Sequence, residues 1–137
     1  MRFMAFLFVV FSASGCGSGG SPAPAIPNID GTWRGNLAVV VDQCFLNVNP
    51  LAAVHRVSID GNSVTVGLAD GRTLSGTATS STQFDAQISD GLPFPTIDSA
   101  AYSEIANGRA HVEVRHSWSR PGGCNTVWSG QMVLDGH

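Results

Sequence analysis

A chain of 137 residues with a formal net charge of −3 and no lysine carries too few cations to neutralise a phosphate backbone, so nucleic acid is not an expected partner. Charged residues make up 12% of the chain, against about 25% in an ordinary soluble domain, and Gly, Ala, Ser, Thr and Val fill the difference. The length allows one modest core and excludes a second domain.

The chain opens on Met1-Arg2, a single positive charge, followed by an unbroken apolar run over residues 3–11. A membrane-spanning helix needs about 20 such residues, so the run has the size of a secretory h-region instead. Directly after it, Ala13-Ser14-Gly15-Cys16 resembles the lipobox of bacterial lipoproteins, with Ala13 where that motif carries a larger aliphatic residue. The resemblance implies that residues 1–15 are removed as a signal peptide and that Cys16 becomes the acylated N-terminus. It also implies a lipid anchor in the bacterial cell envelope. Gly17 rather than Asp follows the cysteine, which by the same resemblance points to the outer membrane, facing the periplasm. Ordinary cleavage after Ser14 or Gly15 is the alternative. Residues 17–24 are Gly, Ser, Pro and Ala, the composition of a flexible linker, so residues 16–27 form the lipidated cysteine and its tether.

With Cys16 taken by lipid, Cys44 and Cys124 remain as an even pair in an oxidising compartment, and a disulfide between them is expected. Loop-closure entropy for a loop that long gives roughly 4–5 kcal/mol as an upper figure. Two buried free thiols are the alternative. Neither cysteine has a second Cys or His at ligand spacing, so no metal site is expected.

From residue 28 to 137 no helical periodicity of useful length occurs. Period-2 alternation punctuated by Asp-Gly, Gly-Asn and Asn-Gly predicts an all-β antiparallel meander of eight strands. They lie near 31–41, 53–59, 63–68, 72–78, 83–89, 98–105, 110–118 and 126–134. In the first strand Trp33, Leu37, Val39 and Val41 share one face with Gly31 and Gly35. For Asp70-Gly71, a three-residue loop over 69–71 pairs Val66 with Leu74 and keeps both inside, whereas a two-residue loop throws Leu74 outward. Asn107-Gly108 reads as a two-residue type I′ turn pairing Ala106 with Arg109. That register then sets Ile105, Ser103 and Ala101 inward and Glu104 and Tyr102 outward. An up-and-down barrel removes both sheet edges and is the expected architecture; a two-sheet sandwich is the alternative.

Gly31-Thr32-Trp33 at the head of the meander resembles the G-x-W opening of lipocalin-like barrels. That resemblance implies a cup for a small apolar ligand. The arginine that covers this tryptophan in lipocalins has no counterpart on the last strand; Arg115 and Arg120 come nearest. Many small bacterial lipoproteins of unknown role also open on a Gly-Thr-Trp strand, and that resemblance implies no function.

His55 and His116 fall on the inward phase of their strands. With Trp33 they are the candidate ligand-binding residues, as polar anchors in a cavity or as hydrogen-bonded histidines near a rim. Leu92, Pro93, Phe94 and Pro95 form a stiff apolar loop, either a lid at the barrel mouth or a segment folded back on the domain. No G-x-S-x-G, P-loop or H-E-x-x-H motif occurs, and no catalytic residue or cofactor is expected. Two functions stay open. One is a lipid-anchored barrel binding a small apolar ligand without catalysis. The other is an interaction module, a hydrolase inhibitor or structural envelope partner, acting through its loops.

Overall fold

The computed structural model describes residues 28–136 apart from residue 47; the leader, Cys16 and the tether lie outside the described residues. Eight antiparallel strands follow one another: β1 (Gly31–Asp42), β2 (Leu51–Asp60), β3 (Ser63–Gly67), β4 (Thr73–Ala78), β5 (Phe84–Ser89), β6 (Thr96–Ala106), β7 (Arg109–Trp118) and β8 (Cys124–Leu134). Each pairs with its neighbour in sequence, and β1 pairs with β8 to close an up-and-down barrel. Closure leaves no edge strand, so every ladder donor and acceptor is available for pairing.

The turns follow their chemistry. Gly61 and Asn62 form the loop between β2 and β3, with Asp60 opposite Ser63. The next loop has three residues: Leu68 bonds to Arg72, and Val66 faces Leu74, both in the core. Asn107 and Gly108 both take positive φ (51° and 67°), as a type I′ turn requires, and Ala106 pairs with Arg109.

Beyond that turn the structure corrects the expected register. Ser103 pairs with His111, Tyr102 with Val112 and Ala100 with Val114. Two residues, Glu104 and Ile105, therefore stand opposite one, which is a β-bulge. Glu104 takes a left-handed φ of 54°, and the Ile105 N–H leaves the ladder to bond the Thr82 carbonyl at 3.1 Å. The extra residue flips the phase of everything N-terminal to it in β6. Tyr102, Ala100 and Asp98 turn inward, while Ala101 and Ser103 turn outward. Ile105 stays inside, as expected.

The interior is filled at one end. Trp33 and Tyr102 are each 1% exposed, with their rings edge-on at a centroid distance of 5.8 Å. Phe84 stacks on Tyr102 at 4.5 Å. Residues 28–30 pack at this end: Ile29 is buried, its carbonyl accepts the Trp33 Nε1–H at 2.8 Å, and Asp30 accepts the Ile59 N–H at 2.6 Å. The glycines on the inward face do not mark empty space. A Cβ on Gly76 would collide with the Asp85 carbonyl, and one on Gly35 with the Gln131 carbonyl. Glycine there lets neighbouring strands approach closely where the sheet coils.

The opposite end carries the Cys44–Cys124 disulfide, with Cα atoms 4.9 Å apart. It extends the β1–β8 seam past its last pair, Asp42 with Thr126.

Candidate functional site

Above the aromatic floor the barrel holds a cavity of about 320 Å³, partly open to solvent. That is near the lower bound for small-molecule sites, about 300–1,000 Å³. Its walls come from inward positions on several strands: Leu51, Ala53 and His55 on β2, Leu74 on β4, Val114 and His116 on β7, and Trp128 on β8. Leu68 and Arg72 of the β3–β4 loop and Asp98 of β6 complete them. Most of this surface is apolar. Leu74 on β4 and Val114 on β7 alternate with outward polar residues, so there the same period that builds the barrel lines the cup.

The polar groups sit in two places. At the inner end His55 is 3% exposed and its Nδ1 lies 2.6 Å from the Tyr102 hydroxyl. His55 faces Trp33 across the β1–β2 ladder, which sets it directly on the aromatic floor. Burial lowers its pKa from 6.5 to about 4, so the imidazole is neutral at pH 7. Burial also pushes the Tyr102 hydroxyl well above its ordinary range, so it keeps its proton.

At the mouth, Arg72 reaches Asp70 at 2.8 Å and also pairs with Asp98. Asp98 in turn shares a hydrogen bond with His116 Nδ1 at 2.7 Å. The Arg72 backbone N–H, and then its guanidinium, hold the Asp70 carboxyl below its usual range. The His116 ring meets Trp118 edge-on at 5.8 Å.

Of the three candidate ligand-binding residues, His55 and His116 line the cavity. Trp33 does not: it packs within the floor, against Tyr102 and Ile29. The loop holding Leu92, Pro93, Phe94 and Pro95 stands at the same end of the barrel as the mouth but contributes no wall. Leu92 and Phe94 are 56% and 53% exposed. On the loop between β1 and β2, Phe45 is 84% exposed at a left-handed φ of 53°.

Tyr102, which supports His55 beneath the cavity, and Asp98 and Arg72, which line it, are residues the sequence did not single out. The first two are turned inward only by the bulge at Glu104 and Ile105. A signal existed for Tyr102: the unbulged register would put the bulkiest residue of β6 in water and Ala101 in the core. Among the described residues, no group of three or more His, Cys, Asp or Glu is placed to hold a metal ion. Comparison with family models, curated proteins and solved structures finds no match for this chain.

Proposed function

We propose that this chain is a lipid-anchored protein of the bacterial envelope whose barrel holds a small apolar molecule without transforming it. The observation that carries the proposal is the cavity of about 320 Å³, apolar over most of its wall and partly open to solvent. The lipobox-like Ala13-Ser14-Gly15-Cys16 and the Gly/Ser/Pro stretch behind it motivate the anchor at Cys16 and the outer-membrane location. A binding role fits the polar groups better than a catalytic one. Asp98 and His116 form a pair on the wall, but no serine hydroxyl is hydrogen-bonded to His116 among the described residues.

Native mass spectrometry of the protein purified from its own envelope tests this directly. The expected result is an added small-molecule mass that disappears on unfolding. Cys16→Ser should move the protein to the soluble periplasmic fraction; a variant still held at the membrane overturns the anchor.

The interaction module is the second reading, and the exposed Phe45, Leu46, Leu92 and Phe94 favour it. Large apolar side chains on loops are the anchors of protein contacts. A stoichiometric partner protein in the same spectrum, with no small molecule retained, would establish that reading in place of the first.

A further inference from the structure

The floor of the cavity has a direction, and that direction selects the ligand. Tyr102 is buried and its hydroxyl makes one hydrogen bond among the described residues, to His55 Nδ1 at 2.6 Å. A hydroxyl has a single proton to give. If Nδ1 carried the hydrogen, it would donate to the Tyr102 oxygen, and the hydroxyl proton would have no acceptor. That would leave a buried donor unsatisfied, which native interiors avoid. The arrangement that satisfies both groups has the Tyr102 O–H donating to an unprotonated Nδ1. A neutral imidazole has one N–H, so the hydrogen must then sit on Nε2. His55 Nε2 has no partner among the described residues, and it is not among their sealed, unsatisfied atoms. His55 lines the cavity, so this N–H is the one available to a molecule held there.

We infer that Tyr102 holds His55 as the Nε2–H tautomer, and that the cavity selects an apolar molecule whose leading end is a neutral hydrogen-bond acceptor such as a ketone, aldehyde or ester oxygen. This rests on the small-ligand reading above. An apolar leading end would displace water from the N–H and give nothing back. A carboxylate is disfavoured twice. It would be buried against a neutral donor, and it would pass a mouth where one guanidinium already serves two carboxylates, Asp70 and Asp98. Tyr102 touches no ligand in this scheme; it is a positioning residue that acts through the imidazole.

Two measurements test the inference on the full chain carrying Cys16→Ser, which avoids detergent in an apolar cavity. The first is long-range ¹⁵N–¹H NMR of the histidine rings at pH 7. The expected result is an Nε2–H pattern for His55, becoming a tautomer mixture in Tyr102→Phe. An Nδ1–H pattern in the unsubstituted ring overturns the inference. The second is titration with heptane, 2-heptanone and heptanoate, followed by the methyl shifts of Leu74 and Val114. The ratio of 2-heptanone to heptane affinity should be about tenfold higher with His55 present than in His55→Leu/Tyr102→Phe, as expected for one good hydrogen bond. Heptanoate should bind more weakly than 2-heptanone. Equal ratios in the two proteins overturn the acceptor-first ligand while leaving the small-ligand reading intact. If none of the three probes shifts the methyls, the small-ligand reading fails and this inference fails with it.

Discussion

The two ends of the barrel are made from the same eight strands and behave as different materials. At the closed end Trp33, Phe84 and Tyr102 fill the interior with the buried Ile29 packed among them, and no cavity remains there among the described residues. At the open end the inward positions are mostly Ala, Val, Leu and His, with Trp128 on one wall, and a cavity of about 320 Å³ remains. Charges follow the same division. The closed-end interior holds no ion pair among the described residues, whereas Arg72, Asp70, Asp98 and His116 form a linked cluster at the mouth. Aromatic packing is therefore concentrated at one end and the proposed binding cavity lies at the other, where the disulfide braces the strands.

The largest expected break in that contrast is Trp33→Ala. It removes the ring packed edge-on to Tyr102 and leaves the Ile29 carbonyl without its donor. A buried aromatic-to-alanine change costs about 3–5 kcal/mol, so a clear fall in the chemical denaturation midpoint is expected. A midpoint within error of the parent protein would show that the closed end does not carry the stability.

His55 lies at the boundary, and acid probes it. The unfolded chain takes up its proton near pH 6.5, while the folded chain resists until about pH 4. Its contribution is present in full above pH 6.5 and declines as pH falls to about 4. The difference between those two affinities for a proton amounts to roughly 3 kcal/mol, lost across that window. His55→Leu alone orphans the Tyr102 O–H and should cost about 1–3 kcal/mol at pH 7. The double change His55→Leu/Tyr102→Phe removes both partners. It should restore stability near the parent value at pH 7 and flatten the fall between pH 6.5 and pH 4. A parent-like acid profile in the double variant would place the titrating group elsewhere.

Much of the barrel's inward face and its turns could be read from the sequence, and less of the polar partners around the cavity. Alternation fixed the inward phase of Trp33, Leu37, Val57, Val64, Val66, Leu74 and Phe84 because each strand has a polar outer face to contrast with it. The turns declared themselves through Asn107-Gly108 and Asp70-Gly71. The even cysteine pair declared the bridge. What escaped in β6 was one residue of slack, and a second register shift lies between Val39 and Val41 of β1. Bulges that need left-handed backbone usually advertise it with Gly or Asn, but here Glu104 adopts it, and no local composition marks the spot. One unmarked bulge hid both Tyr102 and Asp98, since the phase error runs N-terminal along the strand. The histidines were visible by phase; their partners were not, because both partners lie on the misphased strand.

The smallest expected effect sharpens the contrast from the other side. Arg72 ties Asp70 to Asp98 at the mouth; the Arg72 and Asp70 side chains are 46% and 51% exposed, and only Asp98, at 15%, is largely covered. Ion pairs so open to water contribute up to about 1 kcal/mol, less in high salt, because solvent already screens the charges. Arg72→Gln leaves Asp98 its contact with His116 at 2.7 Å, so the carboxylate is not abandoned. The substitution should cost less than about 1 kcal/mol, with the loss shrinking as salt is raised. Equilibrium denaturation at low and high ionic strength measures it. A loss above about 2 kcal/mol that persists in high salt would mean the mouth is held by packing rather than by screened charge. The open end would then be as much a structural core as the aromatic floor, and the division of labour between the two ends would fail.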